Sequence, residues 1–218
     1  MLTIIIPVLN ASASLGLGLA EIKGAAEIIV VDGGSTDQSV DIALRGGARV
    51  ISAARGRGQQ LRAGGMAARG DWLLFLHADT RLGPDWQAAI AAHVSSTPEW
   101  AGYFDLRLDD EAWQARIVEW AVATRVALFG LPYGDQGLLI SRKLYTDLGG
   151  YKPIAIMEDV DIARRIGPQR LVRLTSTALT SADRWRRDGW LRRSIRNLCC
   201  LGLFAVGVDT SQIARFYR

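Results

Sequence analysis

The stretch Ile28-Ile-Val-Val-Asp32-Gly-Gly-Ser-Thr-Asp37 constrains the fold more than any other part of the sequence. Four β-branched residues run straight into a carboxylate, two glycines and two hydroxyls. A short, unbroken apolar run of this kind is a strand buried on both faces, as in a parallel sheet. It delivers Asp32 to its carboxyl end, where ligands of open α/β sheets bind. A local role competes with that one. Ser35, Thr36 and Asp37 are good helix N-caps, and Asp32 could serve the start of the next helix in the same way.

The layout recurs. Thr3-Ile-Ile-Ile-Pro7-Val-Leu-Asn10 is an apolar run closed by proline and asparagine, and Trp72-Leu-Leu-Phe-Leu-His77-Ala-Asp79 ends in a polar cluster. Three strands thus end in groups able to hold a polar ligand. Strands are expected near 2–8, 27–32, 48–52, 72–77, 100–108, 138–141 and 171–175. Helices are expected near 12–22, 36–46 and 58–69, after Gly83-Pro84-Asp85, over 110–128, around Tyr145 and from Glu158. This alternation predicts a mostly parallel sheet flanked by helices, with right-handed crossovers. In the 110–128 helix, Trp113, Ile117, Trp120, Ala121 and Leu128 share one helical spacing and are expected in the core.

With 218 residues, 49% of them apolar and 22% charged, the chain is expected to fold as one ordinary domain with a proper core. No secretory leader is read ahead of the first strand, and the adjacent Cys199 and Cys200 offer no disulfide framework, so a reducing cytoplasm is the expected setting. Two histidines without a His/Cys cluster argue against zinc. The charge is lopsided. Residues 164–218 hold 12 Arg and 3 Asp, a net of +9, and the chain's overall +4 leaves −5 for residues 1–163. A basic tail on an acidic body calls for an anionic ligand or surface. Nucleic acid is not expected, because no DNA- or RNA-binding motif is present.

The ordered motifs resemble family 2 glycosyltransferases of the GT-A fold. They are Ile5-Ile-Pro-Val-Leu-Asn10, Val31-Asp-Gly-Gly-Ser-Thr-Asp37, Gly64-x3-Ala68-x-Gly70, Leu76-His77-Ala-Asp79, Gly149-Gly-Tyr151 and Met157-Glu-Asp159. Pro132-Tyr-Gly-Asp-Gln-Gly137 is similar to a short bacterial subgroup. The resemblance implies a single GT-A domain over 1–185 and a helical appendage over 186–218. It also implies an inverting transfer from a nucleotide-diphosphate sugar, UDP-linked by preference, to a hydroxyl acceptor that could be lipid-linked. It places Pro7, Asn10, Asp32 and Gly33 at the donor nucleotide, Asp79 at a divalent cation (Mg2+ or Mn2+), and Asp159 as catalytic base. Asp135, Gln136, Glu158, Arg184 and Trp185 fall to the acceptor or to positioning.

Three departures from the pattern stand out. The first acid of the metal motif is His77, itself a possible metal ligand. The asparagine expected before the 64–70 motif is Arg62, which with Arg55 and Arg57 offers charge to a pyrophosphate. The usual second acid after Asp32 is Gly33. Plainer roles compete throughout: Glu158, Asp159 and Asp161 could simply favour a helix N-terminus, His77 could close a strand, Arg55-Gly-Arg57-Gly could be a solvated loop, and Asp135 and Gln136 could be turn residues. Two other functions fit less well. One is nucleotidyl transfer to a sugar phosphate, which usually shows a glycine-rich segment after the first strand. The other is a non-catalytic sugar-nucleotide-binding protein.

The tail has two parts. From Asp183 to Arg196, Trp and Leu lie among arginines, a pattern that suits an anionic membrane interface. Leu198 to Val208 carries no charge. It is too short to span a bilayer, and is expected either to dock on the core or to lie at that interface.

Overall fold

The β-branched runs become strands and the stretches between them helices, in a computed structural model that describes residues 1–22 and 24–217. In chain order the elements are β1 (Leu2–Val8), α1 (Leu15–Glu21), β2 (Glu27–Asp32), α2 (Ser39–Arg45), β3 (Arg49–Ser52), α3 (Arg57–Ala67), β4 (Trp72–Phe75), β5 (Thr80–Leu82) and α4 (Trp86–Ser96). Then come β6 (Ala101–Leu108), α5 (Trp113–Phe129), β7 (Leu138–Ser141), α6 (Arg142–Asp147), α7 (Glu158–Ile166), β8 (Leu171–Thr180), α8 (Asp183–Asp188), α9 (Trp190–Ala205) and α10 (Thr210–Tyr217).

All eight strands form one sheet in the order β3-β2-β1-β4-β7-β6-β8-β5. The first four are parallel, with Val8 beside Asp32 and Ile5 beside Phe75, so the ends of β1, β2 and β4 open on one edge. The second half is mixed. β7 runs antiparallel to β4 and β6, β8 runs parallel to β6, and β5 runs antiparallel to β8. Strand–helix alternation revealed the parallel half and not the antiparallel insertions, because a strand buried on both faces looks alike in either direction. β5 was not foreseen at all, and β8 runs five residues past the expected end at 175.

Alternate residues of the strands feed two cores. Ile4, Ile6, Val8, Val30 and Leu74 pack under Leu15, Leu19, Trp86 and Ile90. Ile5, Ile29, Val31, Leu73 and Phe75 pack under Leu61, Leu144, Tyr145 and Ile162. A further cluster joins Leu131, Ile156, Met157 and Val160 to Cys200 and Ile213, so the tail helices share a core with α7.

The expected core face of α5 is turned the other way. Trp113, Trp120 and Leu128 are 68%, 70% and 70% exposed, Ile117 is half exposed and Ala121 is exposed. Ala115, Val118, Val122 and Val126 face the sheet instead. Both stripes obey helical spacing, and the smaller side chains let α5 lie closer to β6. Periodicity alone does not say which stripe goes inward.

The Gly64-x3-Ala68-x-Gly70 spacing has a packing cause. A Cβ on Gly64 would overlap Ile5 Cγ2 and lie 2.9 Å from Val31 Cγ2, and one on Gly70 would lie 2.7 Å from Thr3 N. Both glycines let α3 and its exit press onto β1 and β2. Gly64→Ala is therefore expected to cost about 1–3 kcal/mol by overpacking, seen as a lower urea midpoint at unchanged m. An unaltered midpoint would mean that α3 can shift off β1 freely.

Candidate active site

At the β1–β2 end, the loops are built by side-chain hydrogen bonds. Asn10 adopts φ 52°, in the left-handed region that Asn tolerates. Its Oδ1 accepts from Thr36 N at 2.8 Å, and its own N–H donates to Ser35 Oγ at 3.0 Å. Pro7 lies where β1 has outrun β4, whose ladder ends at Ile5–Phe75, so its missing N–H costs no strand bond. Asp32, 7% exposed, accepts from Gly34 N at 3.0 Å and Ser35 N at 3.1 Å. The local role of Asp32 is therefore real. A carboxylate has about four acceptor positions, and two backbone donors do not exhaust them. Gln60 was missed by sequence reading. Buried beneath the loop, it donates from Nε2 to both Val8 O and Val31 O at 2.7 Å, stitching the two strand ends together. A Cβ on Gly33 would stand 3.0 Å from Gln60, so this glycine is needed for packing there.

Further along the same sheet edge lies a polar pocket. The link after β4 supplies His77 and Asp79, the loop before β7 supplies Tyr133, Gly134 and Asp135, and α7 supplies Asp159. Arg57 enters from α3, Thr180 and Ser181 from the end of β8, and Arg184 and Trp185 from α8. Arg193, Asn197 and Tyr217 of the tail helices complete the wall.

The three acids of the Met157–Asp161 segment have separate fates. Glu158 is fully buried and ion-paired with Arg57. Asp159 faces the pocket, its Oδ2 accepting from Gly134 N at 3.0 Å and its Oδ1 from Val160 N at 2.8 Å. Asp161 turns outward to Lys152 and Arg165 at 2.8 and 2.5 Å, a plain helix-surface network. Met157 holds φ 65° at the N-cap of α7, a left-handed conformation for a non-glycine that delivers the two acids in different directions.

Burial penalises the Arg57 cation, but Glu158 and Asp159 outweigh this and push its pKa up, so it stays charged. Burial pushes the Glu158 carboxyl up against the pull of Arg57. Burial, with Arg57 and Arg184 nearby, drives His77 well below the usual imidazole range, so the ring is neutral. Its Nε2 lies 3.4 Å from Arg57 Nη1. Because arginine only donates, Nε2 is the acceptor and Nδ1 carries the proton. A Cβ on Gly134 would overlap His77 Nε2, which explains the glycine in the 132–137 loop. Asp135 is pushed up to about 6, chiefly by burial, with Asp159 and Asp79 adding to the rise; its Oδ1 is buried and unpaired.

Asp79 can hold a divalent cation. Among the described residues no three His, Cys, Asp or Glu side chains converge as a preformed cage. A single carboxylate ligand such as Asp79 still suits Mg2+ or Mn2+, which commonly take one or two protein carboxylates plus ligand phosphates and water. His77 is the weaker candidate, because the Arg57 guanidinium already faces its Nε2.

The pocket thus brings together Arg57, His77, Asp79, Asp135, Asp159, Arg184 and Trp185 from the expected set. Pro7, Asn10, Asp32 and Gly33 sit at the neighbouring strand ends. Three residues lie elsewhere, the first being Glu158, buried in its pair with Arg57 outside the pocket lining. Gln136 is buried away from the pocket, donating to Phe104 O at 3.2 Å and accepting from Tyr133 N, so it holds the loop in shape. Arg62 is exposed on α3 and donates to Tyr151 O at 3.3 Å. Sequence reading missed Tyr133, Thr180, Ser181, Arg193, Asn197 and Tyr217. The end of β8 at Thr180-Ser181 carried a strand-end signal; the tail residues reach the pocket only through tertiary packing.

A family model described as Glycosyl transferase family 2 matches residues 3–132. The PGL/p-HBAD biosynthesis glycosyltransferases of Mycobacterium bovis and Mycobacterium tuberculosis are 35% identical over 158 residues, covering 60% of this chain. The chain spans 61% of the length of those relatives. Among solved structures, glucosyl-3-phosphoglycerate synthase from M. tuberculosis in complex with Mn2+, UDP and glucosyl-3-phosphoglycerate aligns at TM-score 0.62 and 20% identity, over 91% of this chain and 78% of that one. S. aureus TarS 1–349 aligns at TM-score 0.66 and 13% identity, over 99% of this chain and 70% of that one. At these identities the structures establish a shared GT-A glycosyltransferase fold, and the family match covers more than half of the sequence. The chain belongs to glycosyltransferase family 2.

Proposed function

We propose that the chain transfers a sugar, in one inverting step, from a nucleotide-diphosphate sugar to a hydroxyl acceptor. The observation that carries this is a single pocket in which Asp159, Asp79, Arg57 and Arg184 meet beside the β1–β2 crevice. The donor is a UDP-sugar: the UDP and Mn2+ of the glucosyl-3-phosphoglycerate synthase complex support a uridine donor and a divalent cation here too.

Asp32 accepts hydrogen bonds from the base or ribose, in the crevice that Gln60 underlies and Asn10 borders. Arg57 and Arg184 carry the charge that faces the pyrophosphate. A cation held by Asp79 would supply further charge neutralisation for the departing phosphate. Asp159, fixed by the Gly134 N–H, takes the proton of the acceptor hydroxyl as its oxygen attacks the anomeric carbon. Asp135 and Trp185 position the acceptor, and much of the rate comes from that alignment. The proposed setting is the cytoplasm, with a lipid-linked acceptor at an anionic membrane surface.

Two roles separate cleanly by mutation. Asp159→Asn is expected to keep UDP affinity within about threefold while lowering transfer by about 10²–10⁴. Asp32→Asn is expected to raise the UDP Kd roughly tenfold or more, the scale of one charged hydrogen bond. Calorimetric titration and a transfer assay on both proteins test this, and full transfer by the Asp159 variant would remove the base assignment.

Turnover is also expected to need a divalent cation. Chelation should abolish it, Mn2+ or Mg2+ should restore it, and Asp79→Ala should lose both the activity and the response. Undiminished turnover in chelator would leave the arginines as the sole neutralising groups.

A further inference from the structure

Two neighbouring helices turn apolar stripes outward. On α5, Trp113, Ile117, Trp120 and Leu128 recur at helical spacing and are 68%, 52%, 70% and 70% exposed. On α9, Leu191, Ile195 and Leu198 recur the same way at 74%, 51% and 65%, and Val206, just past its end, is 79% exposed. The helices adjoin, with Trp190 at the start of α9 packed against the inner face of α5. Apolar exposure on this scale on two adjoining helices marks an interaction surface. No helix among the described residues is long and apolar enough to cross a membrane.

We propose that this face docks on an anionic lipid bilayer and holds the pocket against the membrane surface. The proposal deepens the reading of a lipid-linked acceptor, and rests on that reading for its purpose. Three observations favour a bilayer. First, the stripes pair tryptophan with leucine and isoleucine, side chains that settle at the headgroup boundary. Second, α8 to α10 carry seven arginines against three aspartates, and Arg187, Arg192 and Arg215 are exposed. Anionic headgroups complement such a surface. A second copy docked about a two-fold axis would instead bring the same net-positive patch to the interface from both sides. Third, the same helices supply Trp185, Arg193, Asn197 and Tyr217 to the pocket wall. A face buried in the headgroups thus lies on the elements that border the acceptor side.

Vesicle co-sedimentation of the full chain tests this, using phosphatidylcholine alone and phosphatidylcholine with about 30% phosphatidylglycerol. The wild type should bind the anionic vesicles at low salt, and at least about tenfold more weakly at high salt or without the anionic lipid. W113S/W120S and L191S/L198S should each lose about tenfold or more in vesicle binding, with UDP titration unchanged. Failure of the wild type to bind anionic vesicles at low salt overturns the proposal. So does vesicle binding that neither double variant weakens. A concentration-dependent dimer that W113S/W120S dissolves, in a chain that ignores vesicles, would give the face to a second copy and overturn it likewise. UDP titration of the wild type keeps the two readings apart. UDP binding without vesicle binding sinks the docking alone, and vesicle binding without UDP binding sinks the donor assignment alone.

Discussion

Glu158 is fully buried at the first turn of α7, and the Arg57 guanidinium at the first turn of α3 neutralises it. Removing one member of such a pair leaves an uncompensated charge in the interior, typically at 3–5 kcal/mol. The pair does more than satisfy itself. It ties the helix that covers β1 and β2 to the helix that carries Asp159, and so joins the β1–β2 crevice to the pocket. Arg57 also meets His77 after β4. Three chain segments far apart in sequence are held within one side chain's reach, and the left-handed turn at Met157 lets Asp159 leave the pair and enter the pocket.

The sheet explains why a crevice exists there. Its parallel half sends β1, β2 and β4 out at one edge, and its mixed half brings the loop before β7 and the end of β8 to that edge from the other side. Glycine keeps the layers close enough for these pieces to meet. Gly64 presses α3 onto β1 and Gly134 presses the 132–137 loop onto His77; a methyl group at either would push the layers apart. Gln60 supplies the polar counterpart, closing two strand-end carbonyls that would otherwise be buried with one partner fewer.

The tail helices have two unlike faces. Inward, Arg193 is buried between Asp188 and Tyr217 and edges Trp185, while Cys200 and Ile213 pack with Met157 and Val160. Outward, α9 shows leucine and isoleucine to solvent. The first face completes the pocket and the second is free to contact something else. A single helix therefore lies both at the pocket wall and at the exposed surface.

Local sequence determined seven of the eight strands and their polar ends, and it singled out Asp32 and Asp79, because a buried strand needs a continuous apolar run and its end needs groups that stop it. It also held the ordered motifs by which the family is recognised. It did not determine which stripe of α5 goes inward, since both have the same period and the choice rests on how closely small residues let the helix approach β6. Nor could it separate the three acids of the 158–161 segment. Their spacing is that of any helix start; only the position of Arg57, a hundred residues away, makes one a buried counter-ion, one a pocket residue and one a surface partner. Arg193, Asn197 and Tyr217 were illegible for the same reason: a side chain's distance to a site fixed by other segments is a property of packing, which no local window of the sequence contains.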